Sequence, residues 1–140
     1  MSVYLDASVI VPTIVASPPS AIVHAFLVAN REAVIVSDFA AAEVASALSR
    51  LVRTGELERS DAEARLATLD DWMGADTATA VTVGDDVKLA GALVRRFELM
   101  LRTPDALHLA ICDRVGGQLI TRDVRLAMAA GTVGLATVLL

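Results

Sequence analysis

Short apolar runs alternate with longer segments of helical periodicity along this chain of 140 residues, and no other feature of the sequence limits its fold as strongly. The short runs are bounded by turn residues and rich in apolar or β-branched side chains, which predicts strands. They cover residues 3–5, 33–36, 78–83, 118–121 and 133–139. Strands that alternate with helices form mainly parallel sheets covered on both faces. The sequence therefore predicts an α/β fold, and its length predicts one compact domain over residues 1–140.

Two of the segments between strands carry clear helix signals. Residues 87–101 repeat apolar side chains every three or four positions, which predicts one amphipathic helix. Ser60 and Glu63 have the spacing of a capping box, and Gly55 is suited to end the helix before it. Residues 38–73 are therefore predicted to form a helical hairpin.

Composition excludes several classes of protein and site. The single cysteine, Cys112, excludes an internal disulfide and a zinc-binding thiolate cluster, and is expected in the core. His24 and His108 cannot form a metal site without carboxylates, so any bound metal must prefer oxygen; His108 is interpreted as a core or dimer-contact residue. No apolar run approaches the ~20 residues of a membrane span, and the N-terminus lacks signal-peptide character, so a cytoplasmic protein is expected.

The charged residues leave a nucleic-acid partner open. A net charge of −5 argues against a protein that coats nucleic acid with a broad basic face. The basic residues are nevertheless eleven arginines and one lysine, and arginine binds phosphate or carboxylate through two parallel hydrogen bonds. A GC-rich genome would produce the same bias, so composition alone does not decide between these explanations.

Three aspartates stand where strands end or helices begin. Asp6 directly follows the first predicted strand, Asp123 closes the run Leu119-Ile120-Thr121-Arg122-Asp123, and Asp105 falls in the first turn of a predicted helix. Open parallel sheets bind ligands at the carboxyl ends of their strands. Each aspartate also has an ordinary structural explanation, as a helix cap or as an acid in a first turn. The hydroxyls of Ser8 and Thr121 are placed to bind a carboxylate, a water or a ligand.

Glu43 is unusual because its helical neighbours are mostly apolar or small. They are Phe39, Ala40, Ser46 and Ala47. An ionised carboxylate buried among such residues is costly unless it is paired, so Glu43 should be protonated, ion-paired or bound to a cation. The main alternative to a site residue is an ion pair with Arg50.

Four acids that converge at one edge of a sheet would need a cation to offset their mutual repulsion. Mg²⁺ or Mn²⁺ suits an all-oxygen site, because these ions retain several waters and complete their coordination with substrate phosphate. Metal-assisted hydrolysis of a phosphodiester is the chemistry that such a site favours. Sequence spacing by itself does not bring the four acids together.

The chain resembles the PIN-domain ribonucleases, in particular the small bacterial VapC toxins, over nearly its whole length. The resemblance rests on Leu5-Asp6-Ala7-Ser8, Glu43-Val44-Ala45, Asp105-Ala106-Leu107-His108-Leu109-Ala110 and Leu119-Ile120-Thr121-Arg122-Asp123, in the family's order. It implies a three-layer α/β/α sandwich with a mainly parallel five-stranded sheet ordered 3-2-1-4-5. It also implies a Mg²⁺- or Mn²⁺-dependent endoribonuclease that forms a homodimer and is blocked by a cognate VapB-like antitoxin. The hairpin at 38–73 would be the antitoxin docking surface.

The resemblance assigns roles to individual residues. Asp6 and Asp105 match metal ligands, while Glu43, Asp123 and the hydroxyl of Thr121 match catalytic positions. Arg122, which lies between two of these positions, is predicted to contact RNA or the antitoxin, as is Ser8.

Rival functions lack required residues or need a different set of contacts. A phospho-acceptor receiver domain needs an adjacent acidic pair after the first strand and a lysine after the last, whereas Asp6 stands alone and Lys88 is misplaced. A dehalogenase-like phosphatase needs an aspartate where this chain has Ser8. A non-catalytic binding module, whose acids would form ion pairs with arginines, remains open.

Overall fold

The computed structural model describes residues 1–140 and contains one five-stranded sheet. Its strands are β1 (Val3–Leu5), β2 (Val34–Ser37), β3 (Ala78–Ala80), β4 (Gln118–Thr121) and β5 (Thr137–Leu139). All neighbouring strands pair in parallel, in the order β3-β2-β1-β4-β5. The parallel sheet and the strand order 3-2-1-4-5 are thus confirmed.

Seven helices connect the strands and cover both faces of the sheet. They are α1 (Ala7–Ile14), α2 (Ser20–Ala29), α3 (Asp38–Arg53), α4 (Arg59–Asp76), α5 (Gly84–Val94), α6 (Thr103–Val115) and α7 (Val124–Thr132). Because successive side chains of a strand point to opposite faces, β1 contributes to two separate cores. Val3 and Leu5 pack with α1–α4, whereas Tyr4 packs with α6 and α7, where Cys112 is buried as expected. The α/β/α sandwich is confirmed.

The hairpin predicted over residues 38–73 corresponds to α3 and α4, although α4 continues to Asp76. Gly55 follows the end of α3 with a φ of 75°, a conformation that glycine adopts without steric cost. The predicted capping box is wrong: α4 begins at Arg59, and Glu63 accepts a hydrogen bond from the Arg59 side chain. Neither helix of the hairpin, nor any other helix, has the length and apolar character needed to span a membrane.

The apolar spacing across residues 87–101 does not mark one helix. The helix α5 ends at Val94, and a 3₁₀ turn (Phe97–Leu99) leads to Met100 with a φ of 54°. Leu93, Leu99 and Leu101 all pack on the same core cluster, so the periodicity continues across a break in the backbone.

Two predicted strands are shorter than expected. Residues 81–83 leave the edge of the sheet, and the Val83 N–H is bound by Asp86 at the start of α5. Residues 133–136 form the turn after α7, where Gly134 has a φ of 83°. In both segments the β-branched side chains favour a strand. The hydrogen bond or the glycine turn at the end of a neighbouring helix prevents the strand from extending further.

Candidate active site

Asp6 lies at the carboxyl edge of the sheet and is held by hydroxyl groups. It directly follows β1, and only 3% of its surface is exposed. Ser8 Oγ donates to Asp6 Oδ1 at 2.6 Å, and Thr121 Oγ1 donates to Oδ2 at 2.5 Å. The Val9 N–H also donates to Oδ1, so Asp6 caps α1 as well. The predicted contacts of Ser8 and Thr121 with a carboxylate are therefore present.

The charge on Asp6 is only partly compensated by these contacts. Burial raises the pKa of the Asp6 carboxyl above its ordinary value, while hydrogen bonds from Ser8 and Thr121 and the proximity of His108 lower it. The effect of burial is the larger, so the net shift is upward. A cation beside Asp6 would remove this penalty.

Asp123 is joined to Asp6 through Thr121. Its backbone N–H donates to Thr121 Oγ1 at 3.0 Å, the same hydroxyl that donates to Asp6. One oxygen of the Asp123 carboxylate caps α7 by accepting from the Leu126 N–H at 3.0 Å. The prediction that Asp123 caps a helix is therefore confirmed. The hydrogen bond to Thr121 also keeps Asp123 beside the carboxyl end of β4.

Glu43 contacts a histidine instead of the arginine that the ion-pair alternative named. Its Oε2 lies 2.5 Å from His108 Nε2, and 29% of its side chain is exposed. No hydrogen bond or salt bridge joins Glu43 to Arg50 or Ser46 in the structure. His108 is buried, as expected for a core histidine, but sequence analysis did not predict its partner. The available signal was that two polar side chains on mostly apolar helices each required a partner.

Asp105 and Glu43 line one open cleft of about 550 Å³. Asp105 lies in the first turn of α6, one turn before His108, with 20% of its side chain exposed. Thr103 is the first residue of α6, and Arg102 occupies the cap position without a side-chain hydrogen bond.

Three arginines line the same cleft and place positive charge beside the two carboxylates. They are Arg50, Arg53 and Arg102. The nearest approach to an acid is Arg102 Nε to Asp105 Oδ2 at 3.7 Å. Asp6, Glu43 and Asp123 are bound by hydroxyls, a histidine or backbone N–H groups, so they do not show the arginine pairs required by a module held together by ion pairs.

Arg122 contacts this region through its backbone. Its N–H donates to Ser8 Oγ at 2.9 Å, and its side-chain Nε is buried without a hydrogen-bond partner. A contact of Arg122 or Ser8 with RNA or an antitoxin stays a prediction.

The donor set suits an oxygen-preferring ion, although no three acidic, histidine or cysteine side chains are close enough to form a ready-made metal cluster. Mg²⁺ is commonly held by only one or two carboxylates, with waters and substrate phosphate as its other ligands. Asp6 and Asp105 are of the right chemical kind for such a site. The structure thus brings Asp6, Thr121 and Asp123 together at the sheet edge and Glu43 and Asp105 together in the cleft, and no hydrogen bond or salt bridge joins the acids of the two groups.

Comparison with known proteins places these residues in context. Residues 3–131 match the sequence model of the PIN domain. Ribonuclease VapC46 of Mycobacterium tuberculosis is 37% identical over 140 residues, covering 98% of this chain and 96% of that protein.

Solved structures share the fold at low sequence identity. VapC20 of Mycobacterium tuberculosis, described as a sarcin-ricin loop cleaving toxin, superposes with a TM-score of 0.75 and 17% identity, covering 99% of both chains. A chain of VapBC2 from Rickettsia felis, solved with a DNA fragment from their promoter, gives a TM-score of 0.70 and 16% identity, covering 100% of this chain and 99% of that chain.

Proposed function

The chain belongs to the PIN domain family, and from this premise we propose that it is a Mg²⁺- or Mn²⁺-dependent endoribonuclease, the VapC-type toxin of a toxin–antitoxin pair. The observation that carries the proposal is Asp6, a buried carboxylate whose hydroxyl partners do not offset the cost of its burial. The 37% identity to a ribonuclease over nearly the whole chain supports RNA as the substrate.

The residues of this chain would divide the work of phosphodiester hydrolysis. Asp6 and Asp105 would hold the ion, which when bound lowers the pKa of a water and neutralises charge on the phosphodiester. Ser8 and Thr121 fix the two oxygens of Asp6, so this ligand needs little reorganisation. Glu43 Oε1 or Oε2 can accept a proton from the attacking water at the wall of the cleft. Asp123 would act beside Thr121 at the sheet edge.

Arginines in the cleft support a polyanionic substrate despite the acidic net charge. Arg50, Arg53 and Arg102 line the same cleft as Glu43 and Asp105. Guanidinium groups bind phosphate oxygens through paired hydrogen bonds. Positive charge is therefore concentrated where a phosphodiester would enter, even though the chain as a whole carries −5.

Purified protein is expected to cleave structured RNA with added Mg²⁺ or Mn²⁺ and to be inactive in EDTA, with activity restored by excess metal. Gel analysis of end-labelled RNA would measure this, and a matching DNA oligonucleotide serves as the substrate control. Equal cleavage in EDTA and in Mn²⁺ would contradict the mechanism. Absence of cleavage across a panel of folded RNAs would contradict the function.

As a toxin of this kind, the protein would bind a cognate antitoxin, form a homodimer and act in the cytoplasm. The structural neighbour from Rickettsia felis is VapBC2, which supports a VapB-like partner for this chain. Of the hairpin, only α4 offers it a groove: Leu69 and Trp72 line an open cavity of about 440 Å³ with Ile14 of α1 and Leu27 of α2. An apolar helix of the antitoxin fits such a groove.

Expression of the chain alone in a bacterial host is expected to arrest growth, and co-expression of the small protein encoded beside it should relieve the arrest. Asp6→Asn, expressed at the same level, is the control for general expression burden. Harmless expression of a protein that cleaves RNA in vitro would contradict the toxin role and leave the nuclease proposal intact.

A further inference from the structure

Four side chains form a continuous hydrogen-bond chain that ends on Glu43. Ser37 Oγ lies 2.8 Å from Tyr4 Oη, Tyr4 Oη lies 2.8 Å from His108 Nδ1, and His108 Nε2 lies 2.5 Å from Glu43 Oε2. We propose that Tyr4 and His108 are positioning residues that hold the Glu43 carboxylate in the orientation needed for phosphodiester cleavage. This inference rests on the proposed function for its catalytic consequence.

The direction of the hydrogen bonds follows from the donors and acceptors available. Ser37 Oγ caps α3 by accepting the Ala40 N–H at 2.9 Å, which leaves its own hydroxyl hydrogen for Tyr4. Tyr4 then donates to His108 Nδ1, and burial raises the pKa of its phenol, so this hydrogen is retained. An ionised Glu43 carboxylate only accepts hydrogen bonds, so in the proposed arrangement His108 Nε2 donates to it. With a neutral imidazole, this arrangement selects the tautomer that carries its hydrogen on Nε2.

Packing fixes the imidazole as firmly as the hydrogen bonds do. The His108 ring lies against Phe39, with centroids 5.0 Å apart and planes at 53°, and against the edge of Tyr4 at 5.8 Å. His108, Tyr4 and Ser37 are all buried, so water does not compete for their hydrogen bonds. These ring contacts and the burial therefore restrain the imidazole in addition to its hydrogen bonds.

Glu43 needs such a restraint because its own helix does not provide one. Its side chain is long and partly exposed at the wall of the cleft, and a free glutamate would sample several rotamers there. The hydrogen bond from His108 restricts Oε2 to one place and leaves Oε1 without a protein partner at the side chain that lines the cleft. Because Tyr4 lies on β1 and Asp6 directly follows this strand, β1 helps to set the positions of both acids.

The protein contains only two histidines, so the tautomer of His108 can be measured without any catalytic assay. Imidazole ¹⁵N shifts should show the Nε2-protonated tautomer for buried His108, whereas exposed His24 should show the ordinary mixture. Tyr4→Phe removes only the hydroxyl that contacts Nδ1, so the ¹⁵N shift of His108 Nδ1 should move toward that of a ring nitrogen without a hydrogen bond, while Nε2 keeps its hydrogen. An unchanged Nδ1 shift in Tyr4→Phe would overturn the proposal.

Kinetics separate a positioning role from a merely structural one. Tyr4→Phe should lower kcat about tenfold with KM unchanged, because orientation of Glu43 matters for the reacting state and not for RNA binding. Equal kcat in Tyr4→Phe and the wild-type protein overturns the positioning role whatever the spectrum shows.

Two His108 variants keep the test decisive if Tyr4→Phe does not fold. His108→Phe preserves the ring volume but removes the donor, whereas the amide of His108→Gln can still donate to Glu43. The Gln variant should recover part of the kcat lost in the Phe variant, and His24→Gln is the matched control. Equal kcat in the two His108 variants overturns the proposal. A wild-type protein that cleaves no RNA would refute the proposed function. The ¹⁵N spectra would still decide whether the hydrogen bonds that join Tyr4, His108 and Glu43 exist.

Discussion

Replacing Asp6 with Asn is expected to lower RNA cleavage about a thousandfold, through loss of a metal ligand and of the charge it places at the site. The same change should raise the melting temperature of the metal-free protein near neutral pH by about 2–4 °C, because it removes a desolvated charge. Asp6 is 3% exposed, and burial raises its pKa in the folded state. Loss of activity with a gain in stability distinguishes a site residue from a structural one.

The pH dependence of stability gives a second readout of the same substitution. The folded state binds a proton on Asp6 more tightly than the unfolded state, so the free energy of unfolding falls as pH rises from about 3.9 through the raised folded pKa. Asp6→Asn should lack this contribution. Added Mn²⁺ should stabilise the wild-type protein but not the variant, because the ion binds only the folded wild-type site.

Thermal melts at several pH values, with and without Mn²⁺, measure these effects beside the cleavage assay. Cleavage by Asp6→Asn at the wild-type rate would remove Asp6 from the mechanism. A variant with a markedly lower melting temperature would mean that capping of α1 and the hydroxyl contacts outweigh the cost of the buried charge.

Replacing Asp105 with Asn should lower cleavage about a hundredfold and weaken Mn²⁺ binding, with little change in the melting temperature. Asp105 is 20% exposed, and its arginine neighbour, 3.7 Å away, is 81% exposed. Surface pairs of this kind contribute about 0–1 kcal/mol, so little stability is at risk. The expected result therefore differs from that for Asp6, where activity and stability move in opposite directions.

The chain supplies a matched control for Asp105 in Asp85. Both aspartates lie in the first turn of a helix and pair with a basic residue three positions away, Asp85 with Lys88 at 2.8 Å. Asp85→Asn removes the same charge far from the cleft and should leave kcat/KM and Mn²⁺ affinity unchanged. An equal loss of cleavage in both variants would indicate an effect of net charge on RNA binding, and would contradict a specific role for Asp105.

Local chemistry was sufficient to predict most of the fold. Apolar runs located all five strands, and the placement of Asp6 and Asp123 at strand ends followed directly from sequence. The strand order came from family resemblance, since periodicity does not determine which strands are neighbours. The errors lie at element boundaries, as at residues 87–101, where one apolar spacing spans two backbone segments that share a core.

The sequence by itself determined which acids stand at strand and helix ends, and that Glu43 would require a partner. Only the tertiary structure decided what those partners are. Thr121 reaches Asp6 from 115 residues away, His108 reaches Glu43 from 65, and Tyr4 reaches His108 from 104. Strand and helix signals arise from neighbours within a few positions, whereas these hydrogen bonds depend on how the strands order themselves and how α3 and α6 pack beside β1. The local sequence shows that a buried polar group requires a hydrogen-bond partner. Only the packed fold determines which distant residue supplies that partner.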